Sequence, residues 1–167
     1  MLKSKKVISM LLAVVMVLSM SCIGVFAKSN TSKDYTAPNV IEFNSNPVNQ
    51  SLSAITPFSS LSCITSIPTQ YRDLGGATYT STFSTSNGVF TPHIYNLASD
   101  KYFRVNINLA VGSSYVIRIF DNNNTLLLSR SATSTHSWYF QLNSTNAAYV
   151  EIATGNGSNI SGYIDVY

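Results

Sequence analysis

From about residue 77 to the end of the chain, apolar and polar positions alternate in short runs that small polar residues interrupt. The cleanest run covers residues 102–109. Phe103, Val105, Ile107 and Leu109 share one parity, and Arg104, Asn106 and Asn108 take the other. A period of two with one apolar face predicts a half-buried strand. The same device recurs in Tyr115, Ile117 and Ile119, in Trp138, Phe140 and Leu142, in Ala148, Val150 and Ile152, and in Ile164 and Val166. Residues 77–83 alternate as well and are rich in β-formers. They lead into Ser86-Asn87-Gly88, which predicts a hairpin whose return strand runs through residues 89–95. Asp121-Asn122-Asn123-Asn124 and Gly155-Asn156-Gly157 are further turn signals. No segment after residue 27 carries a helical period, so the pattern predicts an antiparallel sandwich or barrel.

The first residues follow a different rule. Lys3, Lys5 and Lys6 precede a nearly unbroken apolar run over residues 7–18, and Val25-Phe26-Ala27 offers a cut after Ala27. Basic head, apolar core and small-residue cleavage site are the order of a secretory signal. The alternatives are an uncleaved anchor over residues 7–27, interrupted by Ser19, Ser21 and Cys22, and a lipoprotein acylated at Cys22, which lacks the apolar residue wanted at Ser19. The expected organisation is a signal peptide over residues 1–27, a flexible lead-in, linker or propeptide over 28–62, and a β-sandwich domain over 63–167. Within the lead-in, Ile41-Glu42-Phe43 is a candidate edge strand.

Removing the signal changes the charge. The chain has 10 Lys and Arg against 7 Asp and Glu, and three of those lysines lie in the signal, which leaves seven of each. No basic patch remains to attract nucleic acid or anionic lipid. Cys22 also leaves, so Cys63 has no intramolecular partner and reads as a buried thiol in an apolar setting. The expected address is extracellular, with no membrane contact after signal cleavage.

Candidate chemistry is sparse. His93 and His136 are the two imidazoles, and no Gly-x-Ser-x-Gly elbow accompanies them. Two distant histidines and one cysteine do not make a zinc site. Asp73, Asp100, Asp121, Glu151 and Asp165 read as turn caps or solvated strand positions rather than a glycosidase pair. No catalytic residue, metal ligand or cofactor is therefore assigned, and the chain is expected not to be an enzyme. The outward aromatics are more informative. Tyr149, Tyr163 and Tyr167 share the non-core parity with Glu151 and Asp165. If the last two strands are neighbours, these five residues make one face of rings and acids on which a sugar or an extended polypeptide can dock. A second sheet or the lead-in covering them is the alternative.

Asp100-Lys101-Tyr102-Phe103-Arg104-Val105, Ala110-Val111-Gly112-Ser113-Ser114-Tyr115, Ile117-Arg118-Ile119-Phe120-Asp121, Ala148-Tyr149-Val150-Glu151-Ile152 and Ser161-Gly162-Tyr163-Ile164-Asp165-Val166 occur in that order. This succession resembles the bacterial pre-peptidase C-terminal domain over residues 100–167. The resemblance implies a jelly-roll-like β-sandwich with a non-catalytic accessory role. The clustered acids through which some relatives bind calcium are missing, since Asp34, Glu42 and Asp73 stand apart. The expectation is a secreted, non-catalytic β-sandwich that binds a polysaccharide or an extracellular protein. A structural or inhibitor-like protein without a ligand face is the alternative.

Overall fold

The computed structural model describes residues 34–47 and 61–167. The signal peptide and the rest of the lead-in lie outside the described residues. The described strands are β1 (Tyr35–Thr36), β2 (Val40–Pro47), β3 (Leu61–Ser62), β4 (Tyr71–Asp73), β5 (Tyr79–Thr85), β6 (Gly88–Phe90) and β7 (Ile94–Asn96). They continue with β8 (Tyr102–Val111), β9 (Tyr115–Asp121), β10 (Leu126–Ala132), β11 (His136–Leu142), β12 (Ala147–Ala153) and β13 (Ile160–Val166).

These strands form two sheets, and the fold is an all-β sandwich. The first sheet runs β1-β10-β9-β12-β7-β4, with β6 also on β12. The second runs β2-β11-β8-β13-β5-β3. Pairing is antiparallel except at two sheet edges, where β3 joins β5 and β4 joins β7 in parallel. From β8 onward the chain changes sheet at every connection but one. Only β9 and β10 form a hairpin, across Asp121–Asn124. There the Asp121 carboxylate accepts the backbone N–H groups of Asn123 and Thr125, both at 2.8 Å, and Asn124 takes a positive φ of 64°. This is the self-capping expected of Asx residues in a tight turn.

The alternating parity is realised strand by strand. Phe103, Val105, Ile107, Ile117, Ile119, Phe140, Leu142, Val150, Ile152, Ile164 and Val166 all point between the sheets and are buried. Trp138 joins them, with Tyr115 edge-on to its indole at 6.0 Å. At about 1.5–3 kcal/mol for each large apolar side chain, this shared layer supplies the main favourable term in folding.

Two expectations about pairing are corrected. The Ser86-Asn87-Gly88 turn is not a hairpin: β5 pairs with β13 in the second sheet, whereas β6 pairs with β12 in the first. The turn thus arches between layers. The return strand is also split, because Pro92 lacks an N–H and interrupts the ladder between β6 and β7. Thr91 bridges the break, its Oγ1 accepting the Val150 N–H at 3.1 Å.

Part of the expected lead-in belongs to the sandwich. β1 lines up on β10, and β2 on β11 over the span from Val40 to Pro47, with Ile41-Glu42-Phe43 inside it. Arg130 of β10 joins these edges. Its guanidinium donates to the Glu42 carboxylate at 2.6 and 2.8 Å, to the Tyr35 carbonyl, and to Thr36 Oγ1. One cation thereby ties an edge of one sheet to an edge of the other.

Candidate functional site

The strand order separates the five residues expected to form one face. β12 lies in the first sheet, between β9 and β7, while β13 lies in the second, between β8 and β5. Tyr149 and Glu151 therefore look out from one side of the sandwich, and Tyr163, Asp165 and Tyr167 from the other. The premise that the last two strands are neighbours is corrected by this topology.

On the first sheet, Tyr149 is not a docking ring. It is only 1% exposed, stacks on Phe120 at 5.3 Å and meets Phe90 edge-on at 6.0 Å. Its hydroxyl donates to Asn124 Oδ1 at 2.9 Å, and burial, with help from Glu151 and Asp121, pushes its pKa up to about 12. Together with Ile94 and Ala147 it forms a second, small apolar cluster on the outer side of that sheet. Glu151 is paired with Arg118 at 2.8 Å. Both residues are committed to holding the first sheet together.

The second sheet's outer face is different, and its register can be read as rows running across the strands. One row is Phe43, Tyr139, Arg104 and Tyr167. Phe43 faces Tyr139 across β2 and β11, and Tyr139 faces Arg104 across β11 and β8. Arg104 and Tyr167 exchange backbone hydrogen bonds of 2.8 and 3.2 Å. Tyr102 lies beside this row, and Phe43, Tyr102 and Tyr139 form a mutual ring cluster with centroids 5.0–5.8 Å apart. The Arg104 guanidinium rests over Tyr139 at 4.3 Å and reaches Tyr167 at 5.6 Å. Each such contact contributes about 0.5–1 kcal/mol at an exposed site. Three strand spacings make the row about 14 Å long. Tyr102, Tyr163 and Tyr167 remain 36–39% exposed on this face.

The next row is polar: Ser137, Asn106, Asp165 and Thr80, one from each of β11, β8, β13 and β5. The Asp165 carboxylate accepts from Thr80 Oγ1 at 2.7 Å, Asn106 Nδ2 at 3.1 Å and Asn108 Nδ2 at 3.4 Å. Asn106 Oδ1 in turn accepts the Ser137 hydroxyl at 2.9 Å. A third row brings Tyr163 between Asn108 and Thr82. The face is thus a band of rings with a cation, a band of interlocked amides and hydroxyls around a carboxylate, and a further tyrosine. Because the polar side chains hold one another, their remaining lone pairs and protons are presented in fixed directions. Rings beside oriented hydrogen-bonding groups suit hydroxylated rings or extended chains.

Of the expected set, this face keeps Tyr163, Asp165 and Tyr167. It adds Phe43, Tyr102, Arg104, Asn106, Asn108 and Tyr139. The parity of residues 102–109 and of 138–142 already turns most of these outward. What parity leaves open is which strands lie side by side.

The groups considered for catalysis lie elsewhere. His136 lies against Trp138 with ring centroids 4.4 Å apart and tilted, and burial lowers its pKa while Glu42 opposes the shift. His93 sits near Tyr95, with burial and the Arg72 charge lowering its pKa. Cys63 is a free, half-buried thiol packed against the core, and burial pushes its pKa up to about 12. Among the described residues no three His, Cys, Asp or Glu side chains are grouped so as to hold a metal ion.

No protein-family model matches the chain, and no curated protein matches it. What stands from the resemblance over residues 100–167 is the two-sheet sandwich itself.

Proposed function

We propose that this protein is a secreted, non-catalytic β-sandwich that binds a hydroxyl-rich extracellular polymer across the outer face of its second sheet. The observation that carries this reading is the row of Phe43, Tyr139, Arg104 and Tyr167 beside the Asp165 network. The row sets three rings, two half-buried and one exposed, around an exposed cation on one sheet face. The row is longer than a single sugar ring, which favours a polymer segment over a small free ligand. The basic head, apolar run and Ala27 support export. The similarity to the pre-peptidase C-terminal domain points the same way, toward an accessory module rather than an enzyme.

The test is retention on insoluble polysaccharides, with fibrillar collagen in parallel. The parent protein should be retained on at least one polysaccharide. A Tyr163→Ala/Tyr167→Ala double variant with an unchanged melting temperature should lose at least about tenfold in affinity, the scale of removing an aromatic anchor. Retention on collagen alone moves the face to a protein partner. Retention on neither, or a double variant that binds as the parent does, overturns the reading.

A further inference from the structure

We infer that the ligand of this face carries carboxylate groups, and that Arg104 is the residue that reads them: the face fits an acidic polysaccharide of the uronate type. The inference rests on the polymer-binding reading above and names the chemistry of its ligand.

Asp165 is held by three neutral donors, Thr80, Asn106 and Asn108, which occupy its carboxylate oxygens. Asp100, two residues before β8, accepts the Tyr102 N–H at 3.2 Å. Two of the chain's other arginines are neutralised by carboxylates, Arg118 by Glu151 and Arg130 by Glu42. Lys101 donates to the Thr145 carbonyl at 3.0 Å. Arg104 has none of these. Among the described residues its guanidinium meets ring faces but no acceptor, and the residue is exposed. Arg72 is in a similar position over Tyr79, but on the opposite sheet's edge strand β4.

Two ring contacts hold the Arg104 head without consuming its N–H donors. A planar guanidinium fixed in this way offers its donor fork to a carboxylate in the bidentate geometry that arginine favours. Tyr139 and Tyr167 flank it on either side in the same row, so a ring stacked on one of them brings a carboxyl substituent to the arginine. The tied amides and hydroxyls of the next row then meet the ring's hydroxyls. Neutral polymers use the rings and the amide band but leave the guanidinium without a partner.

The experiment compares three probes on purified protein: polygalacturonate, the same polymer fully methyl-esterified, and cellulose. Affinity for the acid should exceed that for the ester by about tenfold or more, as expected of a charge-assisted bidentate pair. Arg104→Gln should bring that ratio to within about twofold, and Arg104→Lys should restore only part of it. Raising the salt from about 0.05 to about 0.5 M should weaken acid binding and spare the ester. Arg104 is exposed, so near-ultraviolet circular dichroism should show all three proteins equally folded. Equal binding of acid and ester, or an acid preference that survives Arg104→Gln, overturns the assignment and leaves the polymer-binding reading standing. Binding to none of the three probes counts against both.

Discussion

Gly162 sits at the bulge of β13, where the register against β8 shifts between Ser161 and Gly162. A Cβ placed there would lie 2.0 Å from the Asn108 carbonyl oxygen and 3.1 Å from Phe83 Cζ. The close atom is backbone, so rotating a side chain cannot relieve the contact. Ordinary contact begins at 3.4 Å, so β13 and β8 would have to part by about 1.4 Å. Ladder hydrogen bonds near 2.9 Å do not survive that displacement. Overpacking costs about 1–3 kcal/mol, and one lost hydrogen bond adds about 1 kcal/mol, so Gly162→Ala should destabilise by about 3 kcal/mol. In a sandwich of this size that lowers the melting temperature by roughly 10–15 °C. Urea unfolding followed by Trp138 fluorescence gives the free energy. Gly155→Ala is the control: nothing lies within 4 Å of its Cβ, and its stability should stay within about 0.5 kcal/mol. A Gly162→Ala protein as stable as that control would refute the register of β8 on β13, and with it the rows from which the site is built.

Three further expectations concern the edges and the titratable groups. A chain beginning at residue 61 loses Val40 from the core and leaves Arg130 without Glu42. It should be less stable by about 4 kcal/mol in urea, and equal stability would return the segment to a dispensable lead-in. The Cys63 thiol, raised to about 12, should react with a disulfide reagent at pH 8 far more slowly in the native protein than in urea. Reaction at the unfolded rate would contradict its burial. His93 and His136 have folded pKa values lowered from 6.5, so the unfolded chain binds more protons as pH falls below that value. Stability should therefore be fully present above pH 6.5 and decline toward pH 5. A His93→Gln/His136→Gln variant should show a flatter decline, and an unchanged slope would disprove the linkage.

The inward and outward halves of the strands were legible from sequence because parity is a local property. Phe103, Val105 and Ile107 cannot turn inward without turning Arg104 and Asn106 out. Sheet membership is not local. Ser86-Asn87-Gly88 has the composition of a hairpin turn, yet the burial of Phe83 and Val89 in one core is met equally well by an arch between layers. The same ambiguity placed Tyr149 beside Tyr163, although the turn at Gly155-Asn156-Gly157 carries the chain from one sheet to the other. Ile41-Glu42-Phe43 was legible as a candidate edge strand, but the strand it joins was not, for another reason. β2 lies in a stretch rich in Ser, Asn and Pro, and its partner is β11, which sets Tyr139 opposite Phe43 from far along the chain. Gly112 shows the opposite case, where local chemistry does decide. Its φ is 107°, and a Cβ there would lie 2.5 Å from Ile160 Cγ2, so the crossing from β8 to β9 demands glycine.

The central claim is that one face of the sandwich binds and the other does not. Affinity electrophoresis through a gel containing a retained polysaccharide tests it directly, comparing Tyr167→Ala on the second sheet with Tyr71→Ala on the first. Both tyrosines are exposed, at 38% and 53%, so neither change should disturb folding. Tyr167→Ala should lose most of its retardation, while Tyr71→Ala should migrate as the parent does. Retardation lost in Tyr71→Ala and kept in Tyr167→Ala would contradict the claim.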